Sequence, residues 1–449
     1  MKKSYILTLF ALLLGAGATA QIQSTYFLDH YTYAYRNNPA NMTDKSFVGV
    51  GFSNIGLGAD GNIGLSSILF KAPSGKGLVT GFNSSVSADD FLSGINDRNT
   101  VSGDFDLNIF SLGLRKNNTM TTFELNSRTM MDATVSGELF RFLKLGGENV
   151  TYDFSATDAH VKSYIELAFG RSRRVNDNLT FGYRVKGLMG VGGVYAALKD
   201  TKASLSGSQI DVALKGNAGV AGNLFQFKTD AAGKVSGVEG GSGFGPAGFG
   251  AAVDAGVNWK PMESLTVSAS LSDLGLISWK YSSLAEANNT VNYKGVDISG
   301  ENSKFEDELD KVMDDFKNLT NFRKKSGEES SADMLPFRIN AGVRYQIPGV
   351  KSLSASALFS YKNSALPVAD LRAAVTYTPK DWFSISGNLG GNSLGMVWGA
   401  ALSLCSSHVN FFFGFDACAS SVSPDLLPLE PFSFRMNLGL VFRFGELFD

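Results

Sequence analysis

The chain has 449 residues, a formal net charge of −2, 44% hydrophobic residues and a mean hydropathy of zero. The near-neutral charge argues against the basic surface that nucleic-acid binding needs, so we expect no nucleic-acid partner. After residue 20 no apolar run reaches the roughly 18 residues of a membrane-spanning helix, whereas 50 glycines and 34 phenylalanines are typical of a barrel whose strands alternate between lipid and lumen.

The start of the chain has the pattern of a cleavable export signal. A basic start at Lys2 precedes an apolar run over 5–14, and small residues precede a cleavage point after Ala20. We therefore expect a signal peptide over 1–20 and an exported protein. The next segment, 21–46, is too polar and irregular for a first strand, and we predict that it folds into the barrel as a plug.

From residue 47 to residue 449, apolar and polar side chains alternate with the two-residue period of strands. The predicted strands cover 47–57, 103–115, 119–129, 160–171, 179–197, 249–260, 265–279, 336–347, 353–362, 370–378, 382–390, 395–405, 409–418 and 432–444. Short turns and long loops alternate between them, as in bacterial outer-membrane barrels. The predicted fold is all-β: a transmembrane, antiparallel, up-and-down barrel of about 14 strands, with long extracellular loops that carry short helices.

Three loop segments have patterns of their own. Apolar residues recur at helical spacing from Phe305 to Phe316, which predicts an amphipathic helix that either covers the barrel mouth or binds lipid or a partner. A second short helix is expected near 138–144. The glycine-rich segment 240–245 resembles a phosphate loop, but a strand follows it where a dinucleotide site needs a helix, so we predict a flexible loop.

Strand parity directs twelve charged side chains into the lumen, and nine of them are basic. They are Glu124, Arg128, Lys162, Glu166, Arg184, Lys186, Arg338, Arg344, Asp370, Arg372, Arg435 and Arg443. A net positive lumen would favour anionic or amphipathic solutes. Alternatively, these charges pair with one another or with the plug, since an unpaired charge is costly in a membrane, and we favour this second interpretation.

Asp273 breaks the alternation of its strand, because the parity that starts at Leu265 would aim its carboxylate at lipid. An ionised carboxylate there costs several kcal/mol. We therefore predict a bulge or kink at Asp273, Leu274 and Gly275 that turns the side chain away from lipid. Such a distortion is either purely local or a lateral opening for apolar solutes.

Neither the cysteines nor the histidines indicate a reactive site. If a turn joins the two strands that carry Cys405 and Cys418, the thiols lie roughly 30 Å apart, which disfavours a disulfide. His30, His160 and His408 show no catalytic arrangement with serine and carboxylate and no metal-ligand spacing. We expect no enzymatic activity, no metal and no cofactor.

Several short motifs are spread along the barrel sequence. They are Asn37-Asn38-Pro39-Ala40, the segment 182–190, Asp254-Ala255-Gly256 followed by 273–279, and Gly414-Phe415-Asp416. Together they resemble an uncharacterised family of outer-membrane barrels that is related to FadL-like (long-chain fatty acid transporter) and PorV-like barrels. The resemblance spans essentially the whole mature chain. It implies a fourteen-stranded barrel with an N-terminal plug, whose motif is formed by Asn38, Pro39 and Ala40.

Two functions follow from this resemblance. The first is passive uptake or passage of small hydrophobic or amphipathic molecules across the outer membrane, and the alternative is a non-transporting scaffold for an outer-membrane or secretion complex. A continuous apolar pocket under the long loops would favour transport, whereas a filled polar lumen with an exposed loop platform would favour a scaffold. The expected partners are the outer-membrane bilayer and either hydrophobic small molecules or other envelope proteins.

Overall fold

The computed structural model describes residues 23–74, 77–146, 149–206, 209–293, 321–418 and 428–445. Within them, fourteen antiparallel strands close into one barrel, because each strand pairs with its neighbours in the chain and the last pairs with the first. The strands are β1 Ser46–Gly61, β2 Arg98–Lys116, β3 Thr119–Ser136, β4 Asp158–Asn176, β5 Leu179–Leu198, β6 Gly248–Met262, β7 Leu265–Tyr293, β8 Arg338–Gln346, β9 Leu353–Lys362, β10 Val368–Lys380, β11 Phe383–Asn392, β12 Gly395–Cys405, β13 Val409–Cys418 and β14 Phe432–Phe444. The predicted fold class and strand number are confirmed.

The wall of the barrel is apolar outside and polar inside. On β8, Ile339 and Tyr345 are each 42% exposed on the outer surface, whereas Arg338 and Asn340 are buried in the interior. The same alternation runs along the other barrel strands, and it explains a mean hydropathy of zero in a chain with a lipid-facing surface. Both cysteines are buried and free, so the prediction that they form no disulfide is confirmed.

The two ends of the barrel differ. At one end, turns of a few residues join β2 to β3, β4 to β5 and β12 to β13, and we call it the short-turn end. At the other end, β7 continues from the predicted limit of 279 to Tyr293, because its outer part pairs with an additional strand, Gln209–Ala221. Further strands extend this end of the wall: Val150–Asp153, Lys202–Ser206, Arg323–Lys325 and Glu329–Met334. We call it the long-loop end.

Three short α-helices are described, α1 Ala34–Asn37, α2 Ala88–Ser93 and α3 Gly137–Leu145, besides two 3-10 helices at Gln23–Thr25 and Leu65–Ser67. The α3 helix confirms the prediction near 138–144, and it begins after Ser136, whose side chain accepts a hydrogen bond from the Glu138 N–H. The strand β6 follows the glycine-rich segment 240–245, as expected. The signal peptide and the helix predicted over 305–316 lie outside the described residues.

The helices within the described ranges are all too short or too polar to cross a membrane.

Residues 23–45, which we call the plug, lie inside the short-turn half of the barrel. Their aromatic rings pack against the wall: the ring centroid of Tyr31 lies 4.9 Å from that of Phe412, and the centroid of Tyr35 lies 5.8 Å from that of Phe47. Tyr33 is fully buried and donates a hydrogen bond to the Asn108 side chain (3.0 Å). Buried aromatic surface and satisfied hydroxyl groups together hold the plug in place.

Two wall glycines make room for the plug motif. A Cβ atom at Gly182 on β5 would lie 2.0 Å from the Pro39 carbonyl oxygen, and one at Gly256 on β6 would lie 2.0 Å from Oδ1 of Asn38. The plug backbone at Gly182 and the Asn38 side chain at Gly256 therefore approach the wall more closely than any other residue type at these positions would allow. The Ser172 hydroxyl secures the contact with a hydrogen bond to the Pro39 carbonyl (2.5 Å).

We predict that Gly182→Ala destabilises the barrel by about 1–3 kcal/mol, because the added methyl group overpacks a backbone contact. Urea unfolding of the purified protein measures the loss, and limited proteolysis reports whether residues 23–45 are released. The matched control is Gly187→Ala on the same strand, where an added Cβ meets no atom within 4 Å. Equal unfolding midpoints and equal protease resistance for the two variants would contradict the proposed fit.

Candidate functional site

The middle of the lumen holds a group of nine charges that we call the central network; six are buried, and the side chains of Arg36, Asp106 and Arg128 are 11–13% exposed. It consists of Arg36, Asp106, Glu124, Arg128, Glu166, Arg184, Lys186, Asp254 and Asp273. Lys186 shows the pattern, because its ammonium lies 2.7 Å from the Asp254 carboxylate and 2.5 Å from the Asp273 carboxylate. Buried charges are tolerated when they are paired in this way, so the network is a set of mutually dependent contacts.

The plug belongs to this network. The Arg36 guanidinium lies 3.3 Å from the carboxylates of both Asp106 and Glu124, and the Tyr35 hydroxyl donates a hydrogen bond to Glu124 (2.6 Å). Glu124 also pairs with Arg184 of the wall. Displacing the plug therefore removes cationic and hydrogen-bonding partners from buried carboxylates, which gives the plug an electrostatic link to the barrel as well as an apolar one.

The plug is also tied to the wall at the short-turn end. The Arg344 guanidinium holds the Asp29 carboxylate through two hydrogen bonds of 2.6 and 2.7 Å, and the Thr378 hydroxyl donates a third. Burial on its own would raise the pKa of Asp29, but these donors outweigh it and hold the pKa below its usual value. Asp44, near the end of the plug, pairs with Arg443.

The structure places all twelve sequence-predicted charges inside the barrel, in four groups. Five belong to the central network: Glu124, Arg128, Glu166, Arg184 and Lys186. Four lie along β8, β10 and β14: Arg338, Asp370, Arg372 and Arg435. Two pair with plug aspartates: Arg344 and Arg443. The last, Lys162, pairs with Asp333 nearer the long-loop end.

The predicted excess of positive charge in the lumen is wrong. Five aspartates that the sequence analysis did not assign to the interior lie beside inward cations: Asp60, Asp104, Asp106, Asp254 and Asp416. Asp104 pairs with Lys362, a further inward cation, and Asp273, whose turn away from lipid the sequence predicts, adds a sixth carboxylate. Bulges explain most of the error, because each one reverses the parity of the strand beyond it. One on β1 lies between Val50 and Asn54, and one on β2 lies between Asn108 and Phe110.

Asp273 lies on a bulge of β7, as predicted. Its backbone has a positive φ of 62°, and the pairing with β6 shifts at this point from Leu274 opposite Val253 to Leu271 opposite Ala255. The bulge turns the carboxylate inward, where Arg128 donates to it at 2.8 Å. The strain of this backbone conformation is therefore compensated by ion pairs that a lipid-facing aspartate could not make.

The same position marks a change of partner on the other side of β7. Pairing with β8 ends at Ser272 opposite Arg338, and pairing with the extension strand Glu329–Met334 begins at Leu276 opposite Met334. Between them the Leu335 N–H donates to the Gly275 carbonyl (2.9 Å). We call residues 273–275 and 335–337 the seam. Its outer border is apolar, since Leu276 and Met334 are 53% and 64% exposed.

On the long-loop side of the central network lies a cavity of about 190 Å³, which we call the vestibule. Its wall is mixed in polarity. Met130, Met131, Ile277, Trp279 and Leu335 form an apolar part, and the charged side chains of Asp104, Asp132 and Lys362 belong to the polar part. The ion pair between Lys162 and Asp333 (2.8 Å) adds a polar edge. Close by, ligand-type atoms of Asp132, Asp158 and His160 lie within 4.8 Å of one another.

Trp279 is the most informative residue of the vestibule. Its side chain is fully buried, and its indole N–H finds no hydrogen-bond acceptor in the described part of the chain. A buried donor without an acceptor costs about 1–3 kcal/mol. Trp279 lines the vestibule, but its side chain has no exposed surface there, so an acceptor in the cavity reaches the N–H only after the side chain shifts. The sequence analysis includes Trp279 only as the end of the 273–279 motif and assigns it no role, because the surroundings of its N–H depend on residues from several distant strands.

Two barriers separate the vestibule from the short-turn end. The cavity within the central network has a volume of only about 50 Å³, and the plug lies beyond it. A further cavity of about 410 Å³ opens at the short-turn end between the plug and wall residues such as Arg174 and Lys260. In this conformation the lumen therefore contains two chambers that are divided by ion pairs and by the plug.

Residues 39–416 match the model of a family described as a family of unknown function (DUF5723). The chain belongs to this family. The expected membership in an uncharacterised barrel family is thereby confirmed. None of the curated proteins matches this DUF5723 protein in sequence.

Several solved structures are similar to this DUF5723 protein. The toluene transporter TbuX of Ralstonia pickettii is 10% identical, with a TM-score of 0.42, and the match covers 96% of this chain and 95% of that one. The toluene transporter TodX of Pseudomonas putida is 9% identical, with a TM-score of 0.44 and coverages of 92% and 94%. A FadL homologue of Pseudomonas aeruginosa is 12% identical, with a TM-score of 0.41 and coverages of 96% and 98%.

We predict that Asp273→Asn costs this DUF5723 protein about 3–5 kcal/mol of folding stability, because it leaves Arg128 and Lys186 buried without a full counter-charge. Urea unfolding measures the change. The control is Glu328→Gln, which breaks an ion pair with Lys280 (2.8 Å) whose side chains are both about 60% exposed, and it should cost less than about 1 kcal/mol. If both variants unfolded at the same urea concentration as the wild type, the central network would not be a stabilising element.

Proposed function

We propose that this protein is an outer-membrane barrel that takes up small amphipathic molecules, and that it binds them first in the vestibule. The short-turn end then faces the periplasm and the long-loop end faces the outside, as bacterial barrels are oriented. The observation that carries the proposal is the vestibule itself, a cavity beneath the long loops that combines apolar and charged side chains and is lined by Trp279, whose buried N–H has no acceptor among the described residues.

The chemistry of the vestibule favours a molecule with an apolar body and an acceptor headgroup. Met130 and Met131 offer flexible, polarisable surface that adapts to different apolar shapes. The ammonium groups of Lys162 and Lys362, and the Trp279 N–H after a shift of its side chain, offer hydrogen-bond donors to a carboxylate, carbonyl or hydroxyl oxygen. Asp104, Asp132 and Asp333 lie in the same cavity, so a bound headgroup competes with them for the two ammonium groups. A short-chain carboxylate combines both features and is a suitable probe.

Two routes lead out of the vestibule under this proposal. The first runs down the lumen and requires Arg36 and Tyr35 of the plug to leave the central network. The second runs sideways through the seam, where β7 changes its partner strand and the outer border is apolar. On the lateral route a small apolar molecule does not pass the buried charges of the central network, so we favour this route as the exit.

A second candidate function is a non-transporting scaffold for envelope proteins. The observation in its favour is the filled lumen, since ion pairs and the plug leave a cavity of only about 50 Å³ in the central network. A scaffold needs no passage, and a lumen closed in this way would serve it. The experiments below separate the two functions, because a scaffold would neither bind a carboxylate in the vestibule nor transfer an apolar molecule.

We predict that Trp279→Phe weakens octanoate binding at least about tenfold, because one hydrogen bond to a charged headgroup is worth about 1.5–3 kcal/mol. Isothermal titration of the purified barrel measures the affinity. Trp398→Phe is the matched control, since Trp398 is 48% exposed on the outer surface. Unchanged affinity in Trp279→Phe would exclude Trp279 as the donor, and the lack of saturable binding to the wild type would favour the scaffold.

We predict that closing the seam with a disulfide abolishes transfer of an apolar molecule. Leu276→Cys and Met334→Cys place two thiols at directly paired positions, and the control pair Val343→Cys and Ala357→Cys lies away from the seam. In cells that produce the barrel, the fluorescence of N-phenyl-1-naphthylamine reports its arrival in the membrane. Oxidation should reduce the rate to that of cells without the barrel, and a reductant should restore it.

The control pair should transfer the dye at the wild-type rate in both redox states. A rate that oxidation of the seam pair leaves unchanged would contradict the lateral route. A wild-type rate no higher than that of cells without the barrel, together with co-purification of an envelope protein, would favour the scaffold.

A further inference from the structure

A shallow cavity of about 270 Å³ lies on the wall of the barrel at the short-turn end, across β2, β3 and β4 and bordered by the first residue of β1. Its lining includes no acidic residue: Ser46, Leu114, Arg115, Lys116, Thr119, Thr121 and Arg171. The cavity exists because Thr119 and Thr121 on the central strand are short, whereas the outward side chains on both flanking strands are long. It is separate from the vestibule, from the plug and from the central network.

The strand register orders the outward side chains into three rows. The row at the barrel end contains Lys116, Thr119 and Arg173, the next row contains Leu114, Thr121 and Arg171, and the third row contains Leu112, Phe123 and Phe169. Polarity therefore falls from two cations to one cation to none within three rows. The third row is wholly apolar, and the ring centroids of Phe123 and Phe169 lie 5.2 Å apart.

This gradient lies at the depth where a lipid headgroup meets its chains. Phe181 and Tyr183 on β5 are paired with Arg173 and Arg171, and both rings are exposed on the outer surface, as in the aromatic belts of membrane interfaces. Lys116, Arg171 and Arg173 are exposed, and the described part of the chain supplies no acidic ion-pair partner for any of them. Three unneutralised cations at this depth favour an anion.

We propose that this cavity binds the headgroup phosphate of an anionic phospholipid in the periplasmic leaflet. The guanidinium groups of Arg171 and Arg173 donate to the phosphate oxygens, and Lys116 adds a third positive charge. The short side chains of Thr119 and Thr121 provide the space for the headgroup. The acyl chain of the lipid then lies along the third row, over Leu112, Phe123 and Phe169. A lipid matches both the cationic rows and the apolar row, whereas free phosphate matches only the cationic rows.

The test compares lipid retention by native mass spectrometry. The purified full-length barrel in a nonionic detergent is mixed with equal amounts of dioleoyl phosphatidylglycerol and dioleoyl phosphatidylcholine. We expect one phosphatidylglycerol molecule to be retained in at least about tenfold preference over phosphatidylcholine. The triple variant Lys116→Gln, Arg171→Gln and Arg173→Gln should lose this preference, and Arg171→Gln alone should reduce it about threefold.

The control is the triple variant Lys260→Gln, Lys351→Gln and Lys380→Gln, which removes the same charge from exposed positions at the same end of other strands. It should keep the wild-type preference. Equal loss in both triple variants would show a non-specific charge effect and overturn the proposal. Displacement of the lipid by millimolar inorganic phosphate would also overturn it, because the site would then be one for free phosphate.

Discussion

The structure depends on the rule that a charge inside a membrane wall must have a partner. The lumen of this barrel contains many charged side chains, and its ion pairs connect strands that lie far apart around the wall. Arg128 of β3, for example, contacts Glu166 of β4 and Asp273 of β7. The plug completes the same set through Arg36. A buried charge without a partner would destabilise the fold, so the charges of the wall and of the plug stabilise each other. The same ion pairs fill the lumen and close it.

Strand number, most strand limits at the short-turn end and the direction of most side chains could be predicted from the sequence, because a two-residue period is a local property. The β12 and β13 strands, for example, have the predicted limits. Several limits at the long-loop end could not be predicted, since β7 extends to Tyr293 by pairing with a strand that is distant in the chain. The inward turn of Asp273 could also be predicted, since the alternative was a carboxylate in lipid. The bulges on β1 and β2 could not, because a bulge interrupts the period at a position that depends on contacts between residues distant in the chain. The Tyr33 hydroxyl of the plug, for example, donates a hydrogen bond to Asn108 beside the β2 bulge.

The vestibule and the cationic group on the outer wall could be predicted even less well from local sequence patterns. Trp279 looks like an ordinary core residue in the sequence, and its unpaired N–H becomes visible only when β3, β7 and the segment before β8 surround one cavity. The Lys116, Arg171 and Arg173 group likewise requires the register of three strands, since the residues are distant in the chain. Parity indicates which way a side chain points, but convergence of several strands decides what it can bind.

The central claim is that the ion-paired network and the plug close the lumen, and planar-bilayer conductance tests it most directly. The wild-type barrel should show no steady ionic current, whereas Arg36→Ala, which removes the cation that joins the plug to Asp106 and Glu124, should produce stepwise openings. Steady conductance through the wild-type protein, comparable to that of an open pore, would contradict this account.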